Sequence, residues 1–82
     1  MYITTDTSLA AYLLSEAVPL TRIDYSRPRF KYFFGNGNSD EDAIQGLATD
    51  YITGKARVDP AAYYRIFQKL TIAIKNKEQW QY

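Results

Sequence analysis

Four cationic side chains, Arg22, Arg27, Arg29 and Lys31, crowd one short stretch of the chain, and Tyr25, Phe30, Tyr32 and Phe33 are interleaved with them. Cations neutralise phosphates and aromatic rings stack on unpaired bases, so this pattern has the chemistry of a nucleic-acid contact. The same residues also have a plainer use. On a two-stranded ribbon the rings of one face form core, and charges on the other face keep the ribbon soluble. Asp24 offsets part of the positive charge, and the domain lacks the high pI expected of nucleic-acid binders. A second cluster, Asp40-Glu41-Asp42, is acidic. With Asn36, Asn38 and the intervening Gly37 it is a partial echo of a calcium loop. No Glu falls where the bidentate ligand belongs, and the run reads more simply as the first turn of a helix, where carboxylates face the positive end of the dipole.

Covalent chemistry finds little to work with. The sequence has no cysteine and no histidine, which removes structural zinc, iron–sulfur clusters, thiol nucleophiles and any Ser-His or Cys-His pair. Lysine catalysis needs a desolvated amine, and only Lys31 sits in an apolar window. Gly35-Asn36-Gly37 is not followed by the spacing of a phosphate loop. The reading is therefore non-enzymatic, with no catalytic residue, metal ligand or cofactor assigned.

With 82 residues and a net charge of +1, the chain has length for one domain, spanning 1–82, and no global pull toward nucleic acid or anionic lipid. The first residues lack the basic and apolar regions of a signal peptide, and no apolar run has the length of a membrane span. A cytoplasmic protein is the expectation. A core this small must be held by packing, and the eight Tyr and four Phe suit that task as well as they suit a contact surface.

The elements that position these residues follow from periodicity. Leu9, Ala10, Leu13, Leu14 and Ala17 make one apolar stripe on a helix over 7–17, capped by Thr5 or Asp6 and stopped before Pro19. Ile23 and Tyr25 then alternate with Leu20, Arg22 and Asp24. Phe30, Tyr32 and Phe34 alternate with Arg29, Lys31 and Phe33. Two period-2 runs around Ser26-Arg27-Pro28 predict an antiparallel hairpin, its Ile23/Tyr25/Phe30/Tyr32/Phe34 face on the helices. Ser39 is the expected cap of a second helix, with Ile44, Leu47, Ala48, Tyr51 and Ile52 buried and Gly54 just past its end. Asp59 caps a third helix, Pro60 opens it, and Tyr63, Ile66, Phe67, Leu70, Ala73 and Ile74 line it as far as Lys75. The extended Ala56-Arg57-Val58 is a candidate additional strand, and Glu78 to Tyr82 a frayed tail from which Trp80 can fold back. The predicted fold is α+β: a two-stranded antiparallel hairpin packed against three helices, in the order α-β-β-α-α.

Thr5-x-Thr7-x-Leu9-Ala10-Ala11-Tyr12-Leu13, the aromatic strand, Tyr51-x-x-Gly54-x-Ala56-x-Val58-Asp59 and the closing apolar helix resemble a small bacterial and phage family, the domain of unknown function numbered 5659. The resemblance spans nearly the whole chain. Its motifs are a helix face and a helix-to-helix turn, so it implies a fold and carries no activity and no catalytic residue.

The functional expectation is a protein-interaction or self-association module, a homodimer in its simplest form. Leu20 and Phe33 would supply apolar surface on the hairpin face away from the core, an unpaired strand edge would await a partner, and Tyr64 and Tyr12 would add exposed ring surface. The alternative is a nucleic-acid-binding accessory protein that uses the basic and aromatic hairpin tip: Arg22, Arg27, Arg29 and Lys31.

Overall fold

A computed structural model describes residues 1–26, 28–35 and 41–80. The chain opens with a short strand, β1 (Tyr2–Thr4), and a first helix, α1 (Thr7–Ser15). Two strands follow, β2 (Leu20–Asp24) and β3 (Lys31–Phe34), and then two helices, α2 (Glu41–Ile52) and α3 (Pro60–Lys75). The class is α+β as expected, but the sheet has three strands, all antiparallel, in the order β1-β3-β2. The expected two-stranded hairpin is thus corrected by β1. Its three residues pair Tyr2 with Phe34, Ile3 with Phe33 and Thr4 with Tyr32, so β3 is the central strand and has no free edge.

Register sorts the sheet into two faces. Leu20, Ile23, Tyr32 and Phe34 are buried on the inner face, joined by half-buried Tyr2. The strict alternation that put Leu20 outside with Arg22 fails because of a bulge. Leu20 pairs with Phe34 and Arg22 with Phe33, leaving Thr21 as the extra residue. One additional residue reverses the facing of everything beyond it, so Leu20 joins the core. The Thr21 hydroxyl donates to the Phe33 carbonyl at 2.9 Å, stitching the bulge to β3.

The core is built around α1. Leu9 through Leu14 are all buried, Ala11 included and Tyr12 too, which is therefore core and not the exposed ring expected, so α1 is covered on every side and not along one stripe. A helix apolar all round is a central helix. It packs against α3, α2 and β1. Hydroxyls tie the layers: Tyr63 donates to the Ser8 carbonyl at 3.1 Å, and the Tyr32 and Thr7 hydroxyls meet at 2.8 Å. The Tyr12 and Tyr51 rings stack with centroids 5.3 Å apart, linking α1 to α2. Of the residues expected at the centre, Ile23 is fully buried, Leu47 and Phe67 are half-buried at its margin, and Phe30 is half-buried against the Tyr25 ring.

All three helices end the same way. After α1 the Val18 N–H bonds the Leu13 carbonyl and the Ala17 N–H bonds Leu14. After α2 the Lys55 N–H reaches Asp50 and Gly54 reaches Tyr51, and after α3 Glu78 reaches Ala73 and Lys77 reaches Ile74. This paired pattern needs a left-handed residue at its centre. Those residues are Ala17 (φ 63°), Gly54 (φ 81°) and Lys77 (φ 54°). Gly54 is where the sequence places it. Ala17, expected in the stripe, is instead the exposed turn residue, and α1 stops at Ser15. At the N-termini the Asp6 carboxylate accepts from the Ser8 and Leu9 N–H groups, and Asp59 accepts from Ala61 with Pro60 opening α3, both as expected.

Ala56, Arg57 and Val58 form no strand. The described residues of the expected frayed tail are ordered, while Gln81 and Tyr82 lie outside the described residues. Glu78, Gln79 and Trp80 fold back along β2, and Trp80 packs against the core. The Ser39 cap and the Asn36-x-Asn38-x-Asp40 run lie outside the described residues. Among those described, no helix is long and apolar enough to cross a membrane.

Candidate interaction surface

The outer face of the sheet is built by one cross-strand row. Pairing sets Ile3 of β1 beside Phe33 of β3, and Phe33 beside Arg22 of β2. Ile3 is 51% exposed and Phe33 half-buried. The Arg22 guanidinium lies over the Phe33 ring, 4.2 Å from its centroid. Such stacking holds a cation in place without neutralising it. Met1, 49% exposed, extends the row, with its thioether 3.9 Å from the Thr21 hydroxyl. Its amino group pairs with Glu41 at 2.6 Å, which fastens β1 to the start of α2.

Toward the hairpin tip the surface becomes polar. Lys31 is exposed opposite Asp24, and Arg29 is exposed in the connection. The Asp24 carboxylate accepts from the Ser26 hydroxyl and N–H, and these bonds, helped by Arg22 and Lys31, hold it below the usual carboxylate range. It is therefore a fixed negative charge beside the basic residues. Tyr25 and Phe30 meet edge to face with centroids 5.0 Å apart, so the rings of the tip are spent partly on each other.

The structure thus brings together Arg22, Phe33 and Lys31 on one sheet face, with Arg29 at its end. Arg27 lies outside the described residues. Tyr64 is 60% exposed as expected but stands on α3, where its hydroxyl accepts from Gln68. Leu20 is removed from the surface by the bulge. Ile3 was the residue missed. The Tyr-Ile-Thr triplet carries the aromatic and β-branched signature of a strand, but three residues are too few to show a period.

A separate open cleft of about 270 Å³ lies along α3 and the segment after it, lined by Lys69, Ile72, Ala73, Glu78, Gln79 and Trp80. Two of its polar groups are engaged internally: the Lys69 ammonium sits 5.8 Å over the Trp80 ring, and the Gln79 amide bonds to β2. Among the described residues no group of acidic side chains is placed to hold a metal ion. Burial raises the phenol pKa of Tyr12, Tyr25 and Tyr32, and pushes that of Tyr63 up to about 12 with help from nearby Tyr51. The Tyr25, Tyr32 and Tyr63 hydroxyls are structural hydrogen-bond partners, and Tyr12 contributes its stacked ring.

No protein family, curated protein or solved structure matches the chain.

Proposed function

We propose that the chain is a non-enzymatic interaction module whose contact surface is the outer face of the sheet, and that its simplest partner is a second copy. The observation that supports this is the row Ile3–Phe33–Arg22: a half-exposed aliphatic, a half-buried ring and a guanidinium held on that ring. Aromatic and Arg side chains dominate the energetics of protein contacts, and a stacked Arg loses little further freedom on binding. A cytoplasmic location and the kinship with the domain of unknown function numbered 5659 belong to the same proposal, and neither adds a partner. Sedimentation across a concentration series tests it. Self-association is expected to weaken at least tenfold on Phe33→Glu with the fold retained, about the effect of one interfacial hot spot. Sedimentation as a monomer at the highest concentration reached would remove self-association from the reading.

The alternative, nucleic-acid binding, draws on the exposure of Arg22, Arg29 and Lys31 on one side of the hairpin. Asp24 in their midst and the engagement of Arg22 by Phe33 weigh against it. Retention on heparin that falls steeply with salt, and is abolished by charge reversal at Arg29 and Lys31, would favour it.

A further inference from the structure

The Gln79 side chain occupies β2 in an unusual way. Its carbonyl oxygen accepts from the Ile23 N–H at 2.8 Å, and its amide nitrogen donates to the Ile23 carbonyl at 2.9 Å. These are the two bonds that a residue of a neighbouring antiparallel strand would make with Ile23. A carboxamide is a peptide group in miniature, and here it stands in for a strand on the edge of β2 that faces away from β3. The elements around it hold it there. The left-handed turn at Lys77 redirects the chain after α3, and the Tyr25 hydroxyl donates to the Glu78 carbonyl and, at 3.3 Å, to that of Ala73. Trp80 packs on the core beyond.

We propose that this segment is a plug on the edge of β2, and that the occupant it excludes is β2 of a second copy. The sequence of β2 is self-complementary about Ile23. In an antiparallel two-fold pairing with Ile23 opposite Ile23, Arg22 of each copy falls opposite Asp24 of the other. The paired N–H and C=O groups of Ile23 then replace both Gln79 bonds at the two-fold axis. Release of residues 78–80 opens the edge, and pairing joins two three-stranded sheets into one. This contact uses the strand edge and needs neither Ile3 nor Phe33, though it shares Arg22 with the outer face on which the proposed function rests.

The test runs in a Phe33→Thr background, which removes the outer-face contact without placing a charge near Arg22, so that the two readings fail separately. Gln79 is exposed, and its replacement leaves the buried core untouched. Gln79→Ala is expected to speed amide exchange at Ile23 about tenfold, the scale of one lost hydrogen bond, and to shift the sedimenting species from monomer to dimer. Gln79→Glu, of equal length, can still accept from the Ile23 N–H but when ionised turns an oxygen against the Ile23 carbonyl, and is expected likewise to shift the sedimenting species toward dimer. Adding Arg22→Asp to Gln79→Ala sets like charges opposite each other and returns the monomer, and adding Asp24→Arg as well restores the dimer. The proposal is overturned if Ile23 exchange is unchanged by Gln79→Ala, if the freed edge leaves the protein monomeric, or if the charge swap fails to restore the dimer.

Discussion

Single residues in this protein show where the sequence conflicts with its own turns. Ala17 and Lys77 hold left-handed backbone that costs a side-chain-bearing residue about 1 kcal/mol and costs glycine little. Ala17→Gly is therefore expected to stabilise by up to about 1 kcal/mol, the part of that strain left after the added freedom of the unfolded chain, as a raised denaturation midpoint at unchanged slope. Gly54 already has the favoured residue, and Gly54→Ala is expected to destabilise by a similar amount. Nothing lies within 4 Å of a Cβ added at Gly54, so the loss would report backbone strain and not a clash. Asp59→Ala removes the bond from Ala61 N–H and is expected to cost about 0.5–2 kcal/mol. At this scale the sequence was readable wherever chemistry marks the position: Asp59-Pro60 and Gly54 announce a helix start and a helix end. Ala17 does not, because alanine is the best helix former and nothing in its type signals a turn.

Elements were readable in proportion to their length. The periodic stripe of α3 and the alternation of β3 carry enough residues to define a face. The Tyr2–Thr4 strand is too short to do so, and it supplies Ile3 to the candidate surface. The bulge at Thr21 is invisible for a different reason. Alternation read from sequence assumes a uniform pleat, and one unpaired residue inverts it, which is why Leu20 and Phe33 ended on opposite faces. A single apolar stripe accounts for one neighbour of α1, whereas three elements close around it and bury its other sides. That difference is measurable. Leu13→Ala in α1 is expected to cost about 2–5 kcal/mol, enough to threaten folding at this chain length. Phe67→Ala in α3, at the half-buried margin, is expected to cost less than the 3–5 kcal/mol typical of a buried ring. Equal losses in urea denaturation would contradict the placement of α1 at the centre.

The whole molecule is a three-helix layer that covers one face of a small sheet and leaves the other to solvent. With no histidine, no side-chain type of the chain ordinarily titrates between roughly pH 5 and 9. The buried phenols set the alkaline limit. Their folded pKa values lie above the unfolded value of about 10, so the stability they contribute is complete below that pH. It is lost as pH rises toward the value near 12 held by Tyr63. Unfolding followed against pH, with tyrosinate absorbance appearing together with loss of helix, checks this. On the acid side, the Ser26 bonds to Asp24 contribute above the ordinary carboxylate pKa and fade as pH falls through its lowered one. The open sheet face is the molecule's central claim to function, and a dilution series observed by heteronuclear nuclear magnetic resonance addresses it residue by residue. The account predicts that signals of Ile3, Arg22 and Phe33 shift together with concentration while those of Tyr64 and Ile72 on α3 hold still. Shifts confined to Tyr64 and Ile72, or none at any concentration, would contradict it.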